Sequence, residues 1–295
     1  MTRSINLDPV DHILSGISVP PQPQILVDLY MEQAMPNPDF SRITDLIARD
    51  PSLSAGVLKL VNSDFYGLSN DIASIEKAAH LLGLDQLVNI VNGLALRHHL
   101  NDDQIAPMNV FWDSASDVAN CAATIAKRVG FQAPDLAYTL GLFHNCGMAL
   151  LFRSYNDYFS IVEEAYAEEN DRVIDVENRI LKTNHAVIGY YAARSWKLPR
   201  LVCEVIAEHH NAASIFTLEY NQNYNPFKKT LLAILKIAEH ICKLYAVLGN
   251  QKEDHEWNKV ENMLLDYVGV SQIDFDGLSD LVQEMGLSCI YRDDD

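Results

Sequence analysis

Apolar positions recur at three- and four-residue spacing along nearly the whole chain, and no stretch alternates apolar and polar residues for long enough to make a strand. The expected fold is therefore all-α. Pro20, Pro21 and Pro23 form a stiff lead-in to a helix with Ile25, Leu26, Leu29 and Tyr30 on one face, and Met35-Pro36-Asn37-Pro38 breaks it. Asp39 and Asp50 each stand just before a new apolar face, where a carboxylate can cap the free N–H groups of a helix start. Pro51 then takes the first helical position, which needs no N–H donor. These two helices carry Phe40, Ile43, Leu46 and Ile47, then Leu53, Val57, Leu58 and Leu60. Phe65-Tyr66-Gly67 reads as a turn. Ser74 caps the next helix, although the acidic residue that would complete a capping box is displaced by one position, to Glu76. A longer helix follows from Asp85 to His98.

The polar stretch Asn101 to Pro107 is the natural boundary between two packed helical units. Beyond it, Phe111 to Val129 reads as a long helix with Val118, Ala122, Ile125 and Ala126 inward. Pro134 opens a helix that runs to Gly141-Leu142-Phe143-His144-Asn145-Cys146-Gly147, where Gly147 is placed to end it. Tyr155 to Glu169 is amphipathic, with Phe159, Val162 and Ala165 inward. Helices over Val173 to Lys182 and Ala186 to Trp196 follow, and Leu198-Pro199 begins one that ends in His209-His210. Asn211 to Asn225, with Tyr220 and Tyr224, reads as a long loop packed onto its own domain, and Phe227 to Leu248 as a strong helix. From Glu253 two weaker helices and an acidic tail, Arg292 to Asp295, are expected. The expected organisation is an N-terminal helical bundle over 1–103, a second helical domain over 104–250 and a C-terminal helical extension over 251–295.

Composition narrows the function classes. Across 295 residues the chain is 48% hydrophobic and 21% charged, and its net charge is -18. That excess of acid speaks against a nucleic-acid or anionic membrane partner, both of which call for clustered Lys and Arg. The five cysteines are odd in number, widely spaced and set in apolar helical patterns, which fits reduced, buried thiols. The polar start has no apolar signal core, so a cytoplasmic location is expected.

Histidines supply the candidate chemistry. Taken singly, a histidine in an apolar helix more often packs or caps than binds a metal, and His12, His80, His98, His99, His240 and His255 are read that way. His144, His185, His209 and His210 differ, because they fall near the ends of three separate helices, where side chains can meet around a cleft and hold a metal. Cys146, beside His144, is read as a buried, inert thiol.

Val61-Asn62-Ser63, Ile75-Glu76-Lys77-Ala78, Leu82-Gly83, Phe111-Trp112, the His144 stretch, His185-Ala186-Val187-Ile188-Gly189, Trp196-Lys197-Leu198-Pro199 and His209-His210 occur in an order that resembles the HDOD family. The resemblance spans roughly Val19 to Leu248. HDOD proteins form a degenerate branch of the HD metal-dependent phosphohydrolases, generally bacterial and tied to signal transduction. The resemblance implies an HD-like helical core for the second unit. It also implies a ligand set of a first His, an adjacent His-Asp pair, later histidines and a late Asp. Here those positions fall on Ser114, on His144-Asn145, on His185, His209 and His210, and near Glu239. Asn145 offers only a neutral carbonyl, and serine is a poor ligand at neutral pH. The resemblance thus implies a vestigial or weak metal site, with no catalytic residues and no cofactor beyond a weakly bound divalent metal. The expected role is regulatory, through a protein partner or a small ligand. The alternatives are a divergent phosphohydrolase with an incomplete ligand set, and a metal or nucleotide sensor.

Overall fold

The aspartates act where the pattern placed them. In the computed structural model, which describes residues 17–62, 71–100, 107–217 and 224–284, Asp39 Oδ1 accepts from the N–H groups of Ser41 and Arg42. Asp50 Oδ1 does the same for Ser52 and Leu53. Helices α1 (Gln24–Gln33), α2 (Phe40–Ala48), α3 (Pro51–Val61), α4 (Ile75–Leu82) and α5 (Leu84–Leu100) pack together through Leu29, Ile43, Ile47, Val57 and Val91, all fully buried. Ser74 Oγ accepts from the Lys77 N–H at 3.3 Å, a one-sided cap in place of the box.

Helices α6 (Pro107–Arg128), α7 (Pro134–Phe143), α8 (Cys146–Ser154), α9 (Tyr158–Ala167), α10 (Val173–Leu181), α11 (His185–Ser195) and α12 (Arg200–Glu208) form the second set. A 3-10 turn over His209–Asn211, then α13 (Ala212–Phe216) and the long α14 (Pro226–Ile241), complete its core. Short α15 (Leu244–Val247) leads to α16 (His255–Asn258), α17 (Glu261–Val268) and α18 (Gln272–Glu284). Every regular element among the described residues is a helix. The two sets are tied directly. α5 packs on α7, Trp196 Nε1 donates to Pro20 O at 3.0 Å, and Tyr30 Oη donates to Lys197 O at 3.1 Å.

Small residues let the central helices close up. A methyl added at Gly141 would lie 2.6 Å from Ala119 Cα, so α7 meets α6 backbone to backbone. A methyl at Gly147 would overlap the carbonyl oxygen of His185 and sit 2.8 Å from Gly189 N. Gly147 is therefore not a helix terminator. It is the second residue of α8, where only a bare Cα admits α11.

Other expectations also shift. Phe159 turns outward, 37% exposed, and α9 buries Tyr158, Ile161, Val162 and Ala165 instead, because the apolar stripe starts one residue earlier than the pattern suggested. The expected loop over Asn211 to Asn225 contains α13, whose Ile215 and Phe216 are buried. Tyr224 Oη donates to Glu208, and the Phe227 ring packs 4.4 Å from Phe131, so this region does pack onto its own domain. The helix expected over Phe227 to Leu248 breaks after Ile241, where Lys243 adopts a left-handed backbone at φ 49. Among the described residues, three helices rather than two follow Glu253. His80 and His98 are exposed rather than part of the core. Phe65-Tyr66-Gly67, the 101–106 boundary, Tyr220, Cys289, His12, the His99 side chain and the acidic tail lie outside the described residues. Cys121, Cys146, Cys203 and Cys242 are buried and form no disulfide among the described residues.

Lys182, the residue after α10, has φ 62 and ψ 15, a conformation that suits glycine far better than a residue with a Cβ. Lys182→Gly is expected to raise stability by about 0.5–1 kcal/mol, read as a higher urea midpoint at unchanged slope.

Candidate metal centre

Three histidines meet where two helix ends converge. Asn184 caps α11 by accepting from the Val187 N–H, which makes His185 the first residue of that helix. His209 and His210 occupy the 3-10 turn directly after α12. His185 Nε2 lies 3.3 Å from His209 Nε2 and 3.0 Å from His210 Nε2. All three rings are buried, and their ligating nitrogens lie within 4.8 Å of one another. His144, the residue that ends α7, stands beside this triad rather than in it. Its ring centroid is 5.6 Å from that of His209, and its Nε2 is 3.4 Å from Glu239 Oε1 on α14.

Each ring is held by its other nitrogen. Nδ1–H of His144 donates to Gly141 O at 2.7 Å, and that of His209 to Ile206 O at 2.8 Å. The Nδ1–H of His185 donates to Glu177 Oε2 at 2.7 Å and that of His210 to Glu256 at 2.8 Å. These acceptors fix the same tautomer four times, with the lone pair on Nε2. Burial lowers the pKa of His209 and His210, and that of His144 to about 3, so all three stay neutral at pH 7. The bare Nε2 of His185 faces two others at 3.0 and 3.3 Å, and such lone pairs repel unless a cation lies between them. Tetrahedral ligands held about 2.0–2.1 Å from a metal are about 3.3 Å apart. Donation of the second ring nitrogen to a carboxylate or backbone carbonyl is the usual support of a metal-binding imidazole. His144 Nε2, Asn145 Oδ1 and Glu239 Oε1 are all buried without a hydrogen-bond partner among the described residues, as atoms awaiting a cation would be. The residues present fit a metal ion.

Charge around the triad is dense. Lys236 Nζ lies 2.5 Å from Glu239 Oε2 and 3.1 Å from Glu256 Oε2. Burial disfavours its charge, but the two carboxylates more than offset this and keep it an ammonium. Burial pushes Glu239 up to about 7 against the pull of Lys236. Glu177, fully buried, accepts from Tyr158 Oη and from both the N–H and Nδ1–H of His185. The neighbouring His185 imidazole and these bonds hold it below the usual carboxylate range despite burial. Glu177→Leu is expected to cost about 3 kcal/mol, since it strands Tyr158 Oη and His185 Nδ1 without acceptors; Tyr158→Phe combined with it should recover part of that loss in a denaturation series.

The expected positions can now be placed. His185, His209 and His210 come together, His144 pairs with Glu239, and Asn145 is buried next to His144. Ser114 is buried too, but its hydroxyl donates to Phe111 O at 2.8 Å within its own helix. Sequence reasoning missed Glu177, Glu256 and Lys236. Glu256 comes from the C-terminal segment assigned to an extension. Its only sequence signal is that Asp254 caps α16, which places Glu256 in the first turn. Cys146 is inert as expected, since burial raises its thiol pKa and its Sγ faces Gly189 O.

Beside the triad, a cavity of about 20 Å³ opens between Tyr166, Glu168, Asp171, Asp254 and Glu256. It has room for about one water. Its rim is acidic.

Comparisons with known proteins agree with this architecture. The chain is 31% identical over 198 residues to an uncharacterized protein of Treponema pallidum, covering 65% of this chain and 38% of that one, so it spans well under half of that relative. Its fold matches an HDOD domain protein of unknown function from Geobacter sulfurreducens, at TM-score 0.65 and 24% identity, covering 94% and 93% of the two chains. It also matches a protein from Shewanella amazonensis SB2B that carries a provisional phosphohydrolase name, at TM-score 0.63 and 22% identity over 94% and 95%. At these identities the solved structures establish the fold alone. No helix among the described residues is long and apolar enough to cross a membrane. The HDOD domain profile matches residues 19–212, well over half of the chain, and the protein belongs to the HDOD domain family.

Proposed function

We propose that this protein is a regulatory HDOD protein whose histidine cluster holds one divalent transition metal as a structural or sensory centre, without hydrolysing phosphodiesters. The observation that carries this reading is the fourfold tethering of Nδ1, which leaves every Nε2 free for a cation. Imidazole donors favour zinc, iron, nickel or copper over calcium or magnesium. A bound metal would supply positive charge that joins the start of α11 to the turn after α12, with His144 and Glu239 at its side.

Three features support the non-hydrolytic half. A cavity of about 20 Å³ compares with the roughly 300 Å³ or more of typical small-molecule sites. Glu168, Asp171, Asp254 and Glu256 on its rim repel phosphate. Asn145 stands where the resemblance calls for the anchoring carboxylate. Binding of a protein partner or a small ligand, coupled to the packing of α11 and α12, is the signalling route that fits such a centre.

Elemental analysis of the purified protein, paired with hydrolysis assays on phosphodiesters, nucleotides and cyclic dinucleotides, tests both halves. We expect about one transition metal per chain and no turnover. Metal-free protein that cannot be reloaded would overturn the metal centre. Turnover that disappears in His185→Ala would overturn the regulatory reading.

A further inference from the structure

A second cavity, of about 310 Å³, lies on α11 and α12, lined by Tyr190, Arg194, Leu198, Arg200, Cys203 and Glu204. We propose that it binds a small anion bearing one flat ring, of the size and chemistry of a nucleoside monophosphate. The assignment stands apart from the metal centre and uses none of its residues.

Charge carries the first half of the argument. Arg194 Nη1 donates to Tyr190 Oη at 3.1 Å, and its guanidinium carbon lies 5.6 Å from the centroid of the same ring. The side chain leans on Tyr190 at the surface and makes no ion pair among the described residues. Arg200 donates to Glu204 at 2.7 Å, and Lys228 draws on the same carboxylate at 3.5 Å and on Glu208 at 2.9 Å. Locally, three cations face two carboxylates, inside a chain of net charge -18. An exposed guanidinium with no ion-pair partner among the described residues, next to a phenol hydroxyl, is suited to a phosphate, which it can meet with two parallel N–H bonds.

Shape carries the second half. Leu198 and Cys203 are buried and give the cavity an apolar floor, while the Tyr190 ring offers a flat wall. The volume sits at the low end of the range for small-molecule sites, enough for one nucleotide and too little for two.

Titration calorimetry at low ionic strength with AMP, GMP, adenosine and inorganic phosphate tests this. AMP and GMP are expected to bind with similar affinity, and adenosine and phosphate about tenfold or more weakly. Arg194→Gln should weaken AMP by about tenfold or more, the loss of one charged hydrogen-bonding group, at an unchanged thermal midpoint. Tyr190→Ala, which removes both the wall and the hold on Arg194, should do the same. Absence of saturable AMP binding to the parent protein would overturn the proposal. So would an Arg194→Gln affinity equal to the parent's, or phosphate binding as tightly as AMP.

Discussion

Gly147→Ala is expected to destabilise the protein by about 2–4 kcal/mol, more than a single surface or loop change would. The new methyl would overlap the carbonyl oxygen of His185 and crowd Gly189 N. Both obstacles are backbone, so neither can rotate away; α8 and α11 must separate. Separation also opens the apolar seam between them and moves His144 relative to His185, since each lies within three residues of the clash. The urea midpoint should fall, and metal retention should fall with it. Gly189→Ala supplies the contrast. Its nearest obstacle is Ile206 Cγ2 at 3.1 Å, the end of a side chain that can shift, so its loss should be smaller. Equal stability of Gly147→Ala and the parent, or a greater loss in Gly189→Ala, would show that the close approach of these helices is not what holds them.

The second large effect concerns His185. Its Nε2 is the atom that both His209 and His210 face, so His185→Ala removes the centre of the cluster. Loss of an outer-shell partner typically costs about 10–100-fold in metal affinity, and loss of a ligand should exceed that. We expect His185→Ala to retain no metal through purification, as measured by elemental analysis and chelator competition. Glu256→Gln should fall in the intermediate range, because it weakens the carboxylate that orients His210 without removing a ligand. Ser114→Ala should change nothing, because that hydroxyl is spent on Phe111 O. A Ser114→Ala effect as large as that of His185→Ala would mean that the ligand set is wrong.

How much of this was legible in the sequence differs by residue. Asp39, Asp50 and Ser74 could be assigned because capping is local: donor and acceptor lie within three positions. His144, His185, His209 and His210 stood out because imidazoles are uncommon at apolar helix ends, and the structure does bring three of them together. Glu239 was placed by resemblance and does reach His144. Glu177 was not legible, because an acidic residue on an amphipathic helix reads as a solvent-facing one; only the fold shows that it is buried against Tyr158 and His185. Glu256 lies 46 residues from His210 in sequence, so no local pattern links them. Gly147 carried an ambiguous signal, since a glycine after a helix serves equally as a terminator or as a point of close contact. Only the position of α11 decides between the two.

The contribution of α16 has a consequence for the order of events in synthesis. Chains emerge from the ribosome N-terminus first, and helical units begin to fold as they appear. The histidines of the family-matched segment are all made before Lys236, Glu239 and Glu256 exist. Glu239 reaches His144 with α14, but until α16 arrives His210 has no carboxylate to fix its tautomer. The centre is therefore complete only after the family-matched segment and α14 have been made. The second support of the His210 ring thus comes from a segment that the family profile does not include, so a chain cut after the profile would keep the histidines and lose that support.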